Sequence, residues 1–165
     1  MATNTEHFFA PCPRGLEAVL AAELTECGAS AVKATDGGVH FAGPFTLSYK
    51  VNLHSRLASR VLWRVAGARY RTDEDIYRTA LALPWPRWFA VEQTIRVNLS
   101  AVRSPLKSLN FAALRIKDAV ADRFRAKAGD ERPNVDTRFP DVRIYAHLST
   151  DMVTLHIDTS GQPLF

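Results

Sequence analysis

The stretch SAVKATDGGVHFAG, residues 30–43, decides the fold. Its two ends, SAVKAT and VHFAG, are short and β-favouring. Asp36-Gly37-Gly38 between them is a hairpin signal, because glycine supplies the positive φ that such a turn requires. Toward the N-terminus, GLEAVLAAELTECG places Leu16, Val19, Leu20 and Leu24 at helical spacing, with Gly28 as the expected C-cap. Pro13 and Gly15 punctuate the entry to that helix, and HFFAPC (7–12) before them reads as a short buried strand. Toward the C-terminus, Pro44 opens a second helix whose apolar candidates are Phe45, Leu47, Tyr49 and Leu53. RLASRVLWRVAGARY (56–70) then ends in the alternation of a strand. The order β-α-β-β-α-β, joined by right-handed crossovers, predicts a ferredoxin-like sheet with two helices on one face over residues 1–71.

After Arg71 the pattern restarts. DEDIYRTALAL (73–83) is helical, its acids suited to an N-terminal turn, and WPRWF adds a short further turn. TIRVNLS (94–100) alternates as a strand does. NFAALRIKDAVADRFRAKAG is the clearest helix, with Ala113, Ile116, Val120 and Phe124 as its apolar stripe and Gly129 just past its end. VRIYAHLS (142–149) and MVTLHID (152–158) pair as a hairpin around Thr150-Asp151. This α-α-β-α-β-β unit is expected over residues 72–160, giving an α+β chain of two small domains.

Composition narrows the function. Of 165 residues, 47% are hydrophobic and 23% charged, which suits a packed core and argues against disorder. No apolar run is long enough for a membrane span, and MATNTEH lacks the regions of a secretory signal. Two cysteines, Cys12 and Cys27, make no disulfide framework, which fits a reducing cytoplasm. The five histidines show no metal-ligand spacing, and the eight glycines form no phosphate loop after a strand. No nucleophile–base pairing is suggested either. Cys12 stands before a helix start, where a structural cysteine is the plainer reading. Arg14 there is either an exposed loop arginine or part of an anion site with free helix amides.

Charge is segregated along the chain. Lys50 to Thr72 holds six basic residues and no acid; Ser100 to Tyr145 holds ten against six acids. On the long helix, Arg115, Lys117, Arg123, Arg125 and Lys127 lie off the apolar stripe, and a solvated face partly neutralised by Asp118 and Asp122 accounts for them. Arg103, Lys107, Arg132 and Arg143 lie at the helix ends or the next strand's start, and the expectation is that they share one basic rim fit for phosphates. RPNVDTRFPDVRI (132–144) is the strongest piece. Pro133 and Pro140 stiffen it, Asn134 and Asp136 are suited to bond back to nearby amides, and Arg132, Arg138 and Arg143 remain as surplus charge. Trp85 and Trp88 are expected in packing rather than base stacking.

The stretches PRGLEAVLAAEL, GGVHF, SRLASRV, DEDIYRTA, RIKDAVADRF, RPNVDTRFPDVRI and LHIDTSG resemble, in order, the N-terminal region of bacterial 23S ribosomal RNA guanine-N2 methyltransferases. The likeness runs from about Phe8 to Gly161, and GGVHF, SRLASR and RPNVD…PDVR are its most specific pieces. In that family a ferredoxin-like unit precedes a THUMP domain, an RNA-binding module. A catalytic domain that binds S-adenosylmethionine follows, with a glycine-rich loop and an Asn/Asp-Pro-Pro-Tyr/Phe motif. Neither motif occurs here, so the resemblance implies an N-terminal fragment, with 161–165 starting the connection to the catalytic part. It implies binding of 23S ribosomal RNA by a monomer in the cytoplasm. It also implies no cofactor in this chain and no methylation by this chain alone. The RNA-binding candidates are Arg103, Lys107, Arg115, Lys117, Arg132, Asn134, Arg138 and Arg143. Two other readings stand beside it. One is a phosphate-cleaving enzyme similar to acylphosphatases, gripping its substrate with Arg14; the other is a ligand-sensing or dimerising ferredoxin-like regulatory domain.

Overall fold

The computed structural model describes residues 4–128 and 131–160, Lys127 and Ala128 by backbone alone. The expected cap at Gly129 and the expected connection at 161–165 lie outside the described residues. The elements are β1 (Glu6–Pro11), α1 (Glu17–Glu26), β2 (Ser30–Thr35), β3 (Gly38–Gly43), α2 (Leu47–His54) and β4 (Leu62–Arg69). They continue with α3 (Asp73–Leu81), α4 (Trp85–Trp88), β5 (Ile95–Ala101), α5 (Leu109–Ala128), β6 (Val142–Leu148) and β7 (Met152–Asp158). The architecture is α+β, as expected. The chain forms two compact units, residues 1–64 with 158–160, and residues 65–157, so the division falls inside β4.

In the first unit the strand order is β2-β3-β1-β4, with β1 antiparallel to both β3 and β4, which is the ferredoxin-like arrangement. Gly37 (φ +83°) makes the turn between β2 and β3. Gly38 lies under the Phe9 ring, where an added Cβ would come within 2.3 Å of Phe9 Cζ, so only glycine fits. Phe8 stacks on Phe41 at 5.2 Å in a core with Leu20, Leu24, Val39, Leu47 and Val51. The helices bury less than their spacing promised. Leu16 and Val19 of the α1 stripe are exposed at 36% and 56%. On α2, Leu47, Ser48 and Val51 are buried while Tyr49 and Leu53 face out. Two apolar residues one turn apart, Leu20 and Leu24 on α1 and Leu47 and Val51 on α2, suffice to seat each short helix on the sheet.

The second unit orders its strands β4-β7-β6-β5, β4 entering with its residues from Val65 on. β5 and β6 are parallel, Ile95 opposite Val142 through Ala101 opposite Leu148, and α5 connects them; β7 returns antiparallel to β6. Val142, Ile144, Ala146 and Leu148 are buried with Ile116, Val120 and Phe124 of α5, whereas Arg143, Tyr145 and His147 alternate onto the other face. Ala112 takes the buried position that the sequence pattern assigned to Ala113. Trp85 is fully buried, donates Nε1–H to Ala80 O at 2.7 Å and meets Trp88 edge to face at 5.3 Å, which is a packing role.

Candidate nucleic-acid interface

Between α5 and β6 the stretch 132–141 folds onto the start of β5. Val135 bridges Ile95 in parallel, Ile95 N donates to Asn134 O (2.9 Å) and Asp136 N to Ile95 O (3.1 Å). Asn134 thus holds the turn through its backbone carbonyl. Asp136 does so through its side chain, Oδ1 accepting the N–H groups of Arg138 (2.9 Å) and Phe139 (3.0 Å). These two bonds, that from Phe139 first, hold the Asp136 carboxyl below its ordinary pKa. Asp141 Oδ2 accepts Thr94 N at 2.9 Å, and Asp141 N donates back to Thr94 Oγ1 at 3.1 Å. Pro133 is buried.

The consequence is electrostatic. Each internal acid of the stretch commits one oxygen to neighbouring amides, Asp136 Oδ1 to the turn and Asp141 Oδ2 to β5, and no ion pair joins Arg132, Arg138 or Arg143 to a described carboxylate. Arg132, Asn134 and Arg138 are exposed and Arg143 half-buried. Arg96, which the sequence reading passed over, joins them. It lies opposite Arg143 in the parallel register, and its Nη1 donates to Thr137 O at 2.6 Å. Alternation along TIRVNLS fixes the face of Arg96, but only the pairing of β5 with β6 shows its neighbour. Phe139 was likewise missed, and it is 82% exposed.

The other candidates are elsewhere. Arg103 and Lys107 are exposed past the C-terminal end of β5, whereas the 132–143 group sits at the strand's start. Seven extended residues, or the twenty of α5, put roughly 20 to 30 Å between the two groups. A single rim holding all of them is therefore not what forms. Lys107 instead shares an open cavity of about 390 Å³ with Arg71, Thr72, Leu106 and Phe111. Arg115 and Lys117 are engaged by carboxylates. Arg115 bonds Glu74 of α3 at 3.0 Å and Asp118 at 3.5 Å, with its Cζ 4.0 Å from the Tyr77 ring centroid, while Lys117 lies 3.5 Å from Asp118. Arg115 is thereby a clamp between α3 and α5.

Near Arg14, Glu17 occupies the amides that an anion would need. Its carboxylate accepts Gly15 N at 3.0 and 3.1 Å and Gly37 N at 3.4 Å, bonds that hold its pKa down. Burial, then the Glu17 charge, pushes the Cys12 thiol up, away from a nucleophile's range. This geometry opposes the phosphate-cleaving reading. Among the described residues no cluster of histidine, cysteine, aspartate or glutamate is arranged to hold a metal, and no helix is long and apolar enough to cross a membrane.

Comparison with known proteins finds two matching domain families. The THUMP domain profile matches residues 70–158, and the profile of the RlmL ferredoxin-like domain matches residues 7–62. Ribosomal RNA large subunit methyltransferase K/L of Aeromonas hydrophila is 42% identical over 159 residues, covering 96% of this chain and 22% of that protein. The protein of the same name from Syntrophotalea carbinolica is 41% identical over 157 residues, covering 95% of this chain and again 22% of its own length. The chain thus spans about a fifth of these curated relatives. A crystal structure of a putative methyltransferase complexed with SAH superposes with a TM-score of 0.81 at 25% identity, over 96% of this chain and 42% of that one. With a THUMP match over more than half its length, preceded by an RlmL-type ferredoxin-like domain, the chain belongs to the THUMP domain family.

Proposed function

We propose that this chain is the RNA-binding region of a ribosomal RNA methyltransferase, gripping the phosphate backbone with Arg132, Arg138 and Arg143, backed by Arg96 and Asn134. The observation that carries the reading is the arrangement of charges in 132–143: each internal acid turns an oxygen to backbone amides, while Arg132 and Arg138 are exposed, Arg143 is half-buried, and none of the three is ion-paired to a described carboxylate. Guanidinium groups on a stiff frame suit phosphate, and such contacts position RNA without reading its bases. The relatives' name supplies the substrate class, ribosomal RNA of the large subunit. The finer reading is methyl transfer to guanine N2 of 23S RNA, from S-adenosylmethionine, on a domain outside this sequence and in the cytoplasm. The relative crystallised with SAH supports that donor. Lys107 and Arg71 line one cavity past the far end of β5 together with Asp73, and Arg103 lies exposed in the same connection. A strand of several nucleotides reaches both ends of β5.

The test is an anisotropy titration of a 23S RNA hairpin. The double variant Arg132→Ala, Arg143→Ala is expected to bind at least tenfold more weakly while melting like the parent chain, since neither side chain makes a described ion pair. Unchanged affinity contradicts the assignment.

A further inference from the structure

We infer that Phe139 is a stacking platform for an unpaired nucleotide of the bound RNA; this rests on the RNA reading above and deepens it. Phe139 is 82% exposed, more than any other large apolar residue described; Phe111, by comparison, is 48% exposed and Tyr49 50%. Its backbone is held in place. Phe139 N is bonded to Asp136 Oδ1 at 3.0 Å, Pro140 fixes the backbone directly after it, and Val135 and Asp136 are tied to Ile95. The turn is closed by bonds that do not involve the ring, so the ring contributes nothing visible to the fold.

Its surroundings choose the occupant. Arg138 precedes it, and Arg132, Arg143 and Arg96 belong to the same end of β5–β6, none of the first three paired with a described carboxylate. An exposed flat apolar face with arginines on the same turn and at the same end of the sheet suits a ligand that is itself flat, apolar on its faces and anionic at its edges. A nucleotide is such a ligand. Stacking on an aromatic ring tolerates any base, but it requires a base already free of its partner and its neighbours. The RNA segment lying here is therefore a loop, bulge or strand end, and not a continuous duplex.

The experiment uses the whole chain with two RNAs of equal length, a hairpin carrying 2-aminopurine in its loop and a blunt duplex. Phe139→Ala is expected to weaken hairpin binding roughly tenfold, by loss of one stacked base. It should leave duplex affinity and the salt dependence of hairpin binding as they were, since stacking releases no counterions. Phe139→Trp should restore hairpin affinity, and binding-induced quenching of 2-aminopurine should vanish in the alanine variant alone. If Phe139→Ala binds both RNAs like the parent, the ring serves another protein surface and the inference is overturned. Equal losses on hairpin and duplex overturn it too. If the parent chain binds neither RNA, the RNA reading falls and takes this inference with it, a result distinct from RNA binding that ignores the ring.

Discussion

Asp136 shows how single residues prepare the surface. An aspartate amid arginines would ordinarily neutralise them, yet its Oδ1 is turned to the amides of Arg138 and Phe139. Glu17 and Asp75 behave alike. The Gly15 amide chiefly holds Glu17 down, and the Arg71 and Thr72 amides hold Asp75 down. For these three groups the folded carboxyl is more acidic than the unfolded one. Their contribution to stability is therefore complete above the unfolded value near about 4 and is lost as pH falls through the lower folded values. Thermal melts should be flat in the contribution of these groups near neutrality and fall progressively below roughly pH 4. A melting temperature that rose on acidification through that range would contradict these assignments. At this scale the sequence was partly legible. The prolines, Asp136 and the surplus arginines of 132–144 could be read from residue chemistry. The exposure of Phe139 could not, since the proline after it restricts its backbone and not the direction of its side chain.

Elements were more legible than their faces. The stripe Ile116, Val120 and Phe124 set α5 by its period, and all three are buried. Ile116→Ala should therefore cost roughly 2–5 kcal/mol in urea unfolding, the range for opening a cavity in a packed core. A cost near zero would mean that the α5 packing is misassigned. On the wet side of the same helix, spacing already offered Asp118 as a neutralising partner, and it pairs with both Lys117 and Arg115. What spacing could not show is the tertiary pair: Glu74 and Tyr77 reach Arg115 from α3, about forty residues earlier in the chain. Arg115→Met removes the pair with half-exposed Glu74 and the contact over the Tyr77 ring, and should destabilise by roughly 1–2 kcal/mol while leaving RNA affinity unchanged. A marked loss of RNA binding would return Arg115 to the interface. The faces of α1 and α2 were hard to read for a related reason. Helices of ten and eight residues make a single row of contacts, and apolar spacing alone does not choose Leu47 and Val51 over Tyr49 and Leu53.

At the scale of the whole molecule, element order carried most of the reading. Strand–helix alternation and the Asp36-Gly37-Gly38 turn led to the 2-3-1-4 order of the first unit, and the α-α-β-α-β-β run led to the second. What order alone did not convey was the consequence of a parallel β5–α5–β6 crossover. Residues flanking α5 in sequence are carried to opposite ends of β5, so Arg103 and Lys107 part company with Arg132, Arg138 and Arg143. The central claim is then that phosphate is held by the group at the start of β5–β6. Titrating an RNA hairpin from about 50 to 200 mM salt tests it directly. The Arg132→Ala, Arg143→Ala variant should flatten the log–log slope of affinity against salt by roughly 1.4 to 1.8, two phosphate contacts' worth. An unaltered slope in that variant would contradict the account.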